Sequence, residues 1–174
     1  MSNAADASPF KDWDREELVT FADFLLHNYR VMDAFWFLNL ERELGLDSAC
    51  HFNECVWGKV GALATRDIIR RFGITDRGLS GFRQVLARYP WNLIVGYQLE
   101  ELDHELLLRV PLCPAQEGRL AHGADEYPCR AMHEAEFKGM ISELDPAIRV
   151  ECLFAPPDPH PAECFCAWRF TVSD

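Results

Sequence analysis

Nowhere in the 174 residues is there an apolar run approaching the roughly 20 that a bilayer-spanning helix needs. The opening residues, MSNAADASPF, also lack the basic and apolar regions of a secretory signal. A soluble, cytoplasmic protein is therefore expected. Positive charge is scarce: 17 Lys and Arg stand against 28 Asp and Glu, for a net charge of −11. Nucleic acids and anionic membranes are held by clustered Lys and Arg, so neither is an expected partner. No CxxC pair occurs, which excludes the zinc-ribbon and zinc-finger spacings. Internal repeats and low-complexity tracts are missing too.

What is present is a globular composition. Apolar residues make up 49% of the chain and five residues are Trp, enough for a sizeable core in one domain. Residues 1–13 read as a flexible N-terminus and 14–174 as a single domain, with a helical half (14–90) and an α+β half (91–174). Asp14 with Glu17 three residues on is a helix-start signal. Leu18, Phe21, Leu25, Tyr29, Met32 and Trp36 then keep a helical period up to Gly45. Asp47 offers a second cap, and SACHFNECVWGKVGALATRDIIRRFG reads as a long helix ending at Gly73. A shorter helix, about Leu79 to Arg88, stops before YPWN, where Pro90 forbids continuation.

The second half changes period. LIVGYQLEE and HELLLRV, parted by little more than Leu102 and Asp103, predict an antiparallel hairpin. A Pro- and Gly-rich link, PLCPAQEGRLAHGADEYP, leads to a helix with Pro128 in its first turn, ending near Leu144 before Asp145 and Pro146. IRVECLF and CFCAWRFTV predict two further strands, joined by the four-proline loop APPDPHPAE. The expected fold is α+β: about three N-terminal helices packed with a four-stranded antiparallel sheet and one helix, in ββαββ order.

Seven cysteines in a chain without an export signal are more readily ligands, buried thiols or reactive thiols than a disulfide framework. Cys129, His133 and Glu136, at i, i+4 and i+7, share one helix face. Strand alternation puts Cys164 and Cys166 on one apolar face and Cys152 on the matching face of the preceding strand. Cys113 sits in the link before the helix. Convergence of such thiols can hold a tetrahedral metal, while buried cysteines also serve as small hydrophobes. Cys129 at a helix start, with His133 one turn on, is also a nucleophile-and-base candidate. Cys50, His51, Glu54 and Cys55 fall on two neighbouring helical stripes and are not expected to converge.

The Cys129 helix start, the Glu151–Cys152 strand and the final Cys166-x-Trp168 strand resemble the small-ligand-binding domain named for the four-vinyl reductases, found also in phenol-sensing bacterial regulators. CPAQ at Cys113 and CAWRF at Cys166 to Phe170 are similar to the L-2-amino-thiazoline-4-carboxylic acid hydrolase family. DAFWFLNLERELG (Asp33 to Gly45), CPAQEGR (Cys113 to Arg119) and RVECLFAPPDPHP (Arg149 to Pro161) extend the resemblance over nearly the whole chain, to an uncharacterised bacterial and archaeal family related to those two. The resemblance implies a zinc ion under the sheet, with iron the lesser candidate. Cys129 and Cys166 match the ligand positions. Cys152 departs from the pattern, since Glu151 and Cys152 are adjacent and prolines replace a glycine. Cys113, Cys164 and His133 remain contenders.

The resemblance further implies a small-molecule pocket between helices and sheet, on the face bearing Asp33, Trp36 and Glu41 together with Trp57 and Trp91. Asp33, in an aromatic stripe, must face solvent or have a partner. The leading expectation is a metal-stabilised small-molecule-binding domain. With no output domain in sight, such a sensor is expected to signal through another chain. The alternative is a hydrolase acting on a small cyclic C–N substrate, and a third reading is an oligomerisation unit. The long amphipathic helices allow a homodimer without demanding one.

Overall fold

The computed structural model describes residues 8–172. Residues 1–7, most of the N-terminal segment expected to be flexible, lie outside the described residues. Residues 8–13 form a turn whose Phe10 and Trp13 rings pack on Phe21, with centroids 5.5 and 5.1 Å away.

Six helices and a four-stranded sheet occur among the described residues. Helix α1 (Arg15–Leu44) starts as its sequence dictates: Asp14 Oδ1 accepts from the Glu17 amide at 2.9 Å, and Glu17 Oε2 accepts from the Asp14 amide at 2.9 Å. Gly45, at φ 83°, both ends α1 and opens α2 (Leu46–Phe72), so Asp47 is not the cap of α2. A residue with a Cβ would be strained at that φ. Gly73, also left-handed, ends α2 where expected.

Two helices were hidden by prolines. After α3 (Gly78–Leu86), Pro90 does not merely stop a helix; it occupies the first turn of α4 (Pro90–Val95). Pro114 likewise opens α5 (Pro114–Ala121) inside the segment expected to be a bare link. Proline fits a first turn because the amide it lacks would have no intrahelical partner there. In α6 (Arg130–Leu144), by contrast, Pro128 stands just outside the helix and Cys129 is its N-cap.

The strands are β1 (Gln98–Glu101), β2 (Glu105–Val110), β3 (Ile148–Phe154) and β4 (Cys166–Val172), all antiparallel in the order β1-β2-β4-β3. The expected hairpin and last pair are present, but the first strand is shorter than LIVGYQLEE because Leu93 to Val95 belong to α4. Cross-strand register stacks Leu106 against Phe170, Leu108 against Trp168 and Val110 against Cys166 on the helix-facing side. Arg169 pairs with Glu105 at 2.8 Å and Glu151 at 2.9 Å across the solvent side. Alternation thus gives the sheet one apolar and one charged face.

Helix α6 lies on the apolar face. Phe137 meets Trp168 and Phe170 edge-on, with centroids 5.2 and 5.1 Å apart. Its other side meets α2 at a glycine crossing. A Cβ on Gly139 would stand 2.3 Å from the Gly58 carbonyl oxygen, and one on Gly61 would stand 2.6 Å from the Glu136 carbonyl oxygen. Only hydrogen lets the two backbones come so close. The layers are therefore sheet, α6, α2, with α1 laid over α2 and reaching α4.

Candidate functional site

Cys129, His133 and Glu136 share one face of α6, as their spacing predicts, and that face lines a cavity. Asp33 of α1, Trp57 of α2 and Trp91 of α4 supply further wall, Cys113 and Gln116 come from the start of α5, and Cys166 from the start of β4. The cavity holds about 60 Å³, and about 600 Å³ of empty space once its mouth is included. The enclosed part is room for several waters, and it opens through a wider mouth.

Glu136 is the most consequential residue in the wall. It is 1% exposed, yet both carboxylate oxygens have partners: Tyr89 Oη donates to Oε1 at 2.6 Å, and His133 Nδ1 lies 2.9 Å from Oε2. A buried carboxylate persists only when satisfied in this way. Burial first, and then Glu136, raises the Tyr89 phenol far above its usual range, so Tyr89 stays the donor.

Asp33 has the partner its sequence setting required. Trp57 Nε1 donates to Asp33 Oδ1 at 3.2 Å. Its other oxygen makes no hydrogen bond among the described residues and, not being fully buried, is open to the cavity. Burial, reinforced by Glu136 and opposed by the Trp57 bond, lifts the Asp33 carboxyl from 3.8 to about 6. Around it the rings of Tyr29, Trp57 and Trp91 pack with centroids 5.5 to 6.0 Å apart.

Gln116 organises the remaining wall. Fully buried, its Nε2 donates to the Tyr127 carbonyl at 2.9 Å and its Oε1 accepts from the Tyr127 amide at 3.0 Å. One side chain thus replaces a missing strand neighbour and fixes the segment entering α6. The proline loop, 155–165, brings Pro156 and Phe165 to the cavity. It is fastened by Arg130 to Asp158 and by His160 Nε2 to Glu126 at 3.1 Å. His160 Nδ1 faces the Pro161 carbonyl at 3.0 Å, so both ring nitrogens meet acceptors and the imidazolium form is favoured.

Five expected pocket residues divide. Asp33, Trp57 and Trp91 line the cavity. Trp36 does not; it is 67% exposed on the outside of α1. Helix α1 meets the body through the i, i+4 row Tyr29, Asp33, Phe37, Glu41, and Trp36 lies off that row. Glu41 binds Arg119 of α5 at 2.6 and 3.0 Å instead, tying the two helices together.

The expected metal ligands divide as well. Cys113, Cys129, Cys166 and His133 line the cavity, whereas Cys152 lies beside Arg130. Cys164 precedes β4 instead of sharing its alternation, and its thiol donates to the Cys166 carbonyl at 3.3 Å. Among the described residues no three His, Cys, Asp or Glu side chains converge into a set that could hold a metal ion. On α2, His51 Nε2 and Cys55 Sγ lie 3.9 Å apart without further donors, in line with their stripes.

Cys129 is not an activated thiol. Burial pushes it up to about 12, outweighing the helix start, and burial raises Cys113 and Cys166 too. His133 is held through Nδ1 by Glu136, a contact that orients the imidazole and leaves Nε2 unengaged. Of the nucleophile-and-base pairing, it is the thiolate that the burial of Cys129 disfavours. Residues the sequence left off the site are Tyr97, Gln116 and Tyr127; Glu136 was legible through its helical register with Cys129 and His133.

Among the described residues no helix is long and apolar enough to cross a membrane. No curated protein matches the sequence. The model of one family of unknown function, DUF6125, matches residues 11–172, and the chain belongs to that family.

Proposed function

We propose that the protein is a small-molecule-binding domain whose ligand sits between the helices and the sheet. One observation carries this reading. A cavity walled by Trp57, Trp91 and Tyr97 also contains a 1%-exposed carboxylate and a second acid lifted to about 6. Acids held at such expense in an aromatic chamber mark functional sites more often than ordinary cores. The neutral thiols of Cys113, Cys129 and Cys166 act here as soft wall atoms, a role that needs no metal and no turnover.

The test is a thermal-shift screen of compounds small enough for the cavity, followed by tryptophan fluorescence, since Trp57 and Trp91 both line the site. Ligands should raise the melting temperature and change the emission. Ala115 is an exposed cavity-lining residue on α5, so Ala115→Phe should obstruct the cavity and abolish both signals while leaving the unliganded melting temperature nearly unchanged. Hits that bind Ala115→Phe equally well would place binding elsewhere and end this reading.

A further inference from the structure

We infer that the ligand is a compact organic cation, an amine or ammonium compound with an apolar body, bound with its charge against Asp33. This rests on the small-molecule reading above and adds the ligand's charge. Among the described residues no lysine or arginine lines the cavity, while two carboxylates do. An anion would enter with nothing to neutralise it, at the desolvation cost of a buried unpaired charge. A neutral ligand would leave Asp33 without a counter-charge. A cation meets the Asp33 oxygen that makes no hydrogen bond among the described residues, in a wall that also carries Trp57 and Trp91. Glu136, occupied by Tyr89 and His133, adds its field without offering a free oxygen.

Three probes of equal size settle the charge: benzylammonium, benzyl alcohol and benzoate, titrated against the full chain by tryptophan fluorescence. Benzylammonium should bind at least about tenfold more tightly than benzyl alcohol, with benzoate weakest. Asp33→Asn should erase the preference for benzylammonium but keep benzyl alcohol binding. The titratable groups coupled to Asp33 are Tyr29 on its own helix, Glu136 on α6 and Tyr127 before α6; His133, Tyr97 and the thiols of Cys113, Cys129 and Cys166 share the cavity wall with it. The Asp33 carboxyl is lifted to about 6, so benzylammonium affinity should climb as pH rises through that value, and the climb should vanish in Asp33→Asn. Benzyl alcohol or benzoate binding as tightly as benzylammonium would overturn the cation and leave the binding reading standing. If none of the three binds, the binding reading falls with it.

A separate observation concerns α1. Its inward row is described above; its outward side carries Leu18, Phe21, Leu25, Asn28, Met32, Phe35 and Asn39 at alternating spacings of three and four, a heptad seam that faces solvent except at Phe21, where Phe10 and Trp13 pack. Phe24, Val31 and Leu38 flank the seam at seven-residue intervals. Leu25, Met32 and Phe35 are 50, 58 and 61% exposed. With Leu18, Phe24, Trp36 and Leu38 they bare on the order of 700 Å² of side chain, above the patch of a typical monomer and close to the roughly 800 Å² per partner of a standard interface. We also infer that a second copy of this chain covers this seam, α1 against α1. A seam of this kind is self-complementary, its area is what a stable dimer needs, and Asn28 and Asn39 are the polar interruptions that set register between like helices. In the single chain both amides merely bond back to the Phe24 and Phe35 carbonyls.

Sedimentation of the full chain at micromolar concentration should give twice the monomer mass. Leu25→Glu with Phe35→Glu should give a monomer whose circular dichroism is unchanged, because neither side chain is buried within one chain. Met32→Lys is the milder second variant and should weaken the dimer by at least about tenfold. A wild-type monomer at several hundred micromolar, or a dimer indifferent to all three changes, would overturn the seam. A wild-type chain seen only as a complex with a different protein would overturn it as well.

Discussion

Helices α1 and α6 invert the usual relation between side chain and environment. Helix α1, 30 residues long and rich in Phe, Leu and Trp, has no buried residue. Helix α6, half that length, buries six, and one of them is a glutamate. Hydrophobicity alone does not predict this. What decides it is enclosure: α6 has the sheet on one side and the glycine crossing with α2 on the other, whereas α1 meets the other helices along the Tyr29 to Glu41 row and is otherwise touched by the 8–13 turn at Phe21. A helix enclosed on both sides can impose partners on a charged group, and a helix enclosed on one side leaves its second apolar stripe bare.

The contrast can be tested most severely with phenylalanine. Phe137→Ala should cost about 3–5 kcal/mol in denaturant unfolding, as a fully buried aromatic in a dense layer does. Gly139→Ala should come next, losing about 3 kcal/mol although alanine is the better helix former, because its methyl would meet the Gly58 carbonyl. If Gly139→Ala is neutral or stabilising, the crossing is looser than described.

Asp33 gives an effect of opposite sign. Its carboxyl rises from 3.8 to about 6 on folding, so the native state holds that proton more tightly than the unfolded chain does. Stability is therefore lost as pH climbs from about 4 to about 6 and stays lost above that. Asp33→Asn, which keeps an acceptor for Trp57, should stabilise the unliganded protein by about 2 kcal/mol at neutral pH, discounting for partial exposure, and by nothing near pH 3. Thermal melts across that range read this directly.

Arg119→Met removes the tie between α5 and α1 and should cost about 1–2 kcal/mol, since the pair is mostly shielded from water. Smallest of all, Phe35→Ala should change monomer stability by no more than about 0.5 kcal/mol in solutions dilute enough to hold single chains. A loss there approaching that of Phe137→Ala would show that α1 is enclosed after all.

Much of the fold was legible because local signals and tertiary contacts agree. The Asp14–Glu17 box, Gly45 and Gly73 mark helix ends by backbone chemistry that needs no partner. The strand faces of β3 and β4 follow from alternation, so Cys152 and Cys166 point to the helix side as read. The same logic failed for Cys164, since alternation holds only inside a strand and β4 begins two residues later. Prolines at 90 and 114 were read as breaks because proline carries the same signal whether it ends one helix or begins another.

The site was legible only where a single helix supplies the pattern. Cys129, His133 and Glu136 could be grouped from spacing, and Asp33 could be told to need a partner. That Glu136 meets Tyr89, 47 residues away, or that Gln116 would bond both sides of Tyr127, is set by long-range packing. Trp36 was misplaced for a related reason. A helical period gives the stripes on a helix, and only the neighbours tell which stripe is inside.

The glycine contact between α2 and α6 has a consequence for anyone who would retune this chamber. Trp57 precedes Gly58 directly, and Glu136 stands three residues before Gly139, so two parts of the cavity wall are tied to one inextensible joint. Diversity must enter elsewhere, through Asn53, Val95 or Phe165, whose replacement leaves that joint alone. A lineage altering what it binds would be expected to vary those three positions while its three glycines stand still.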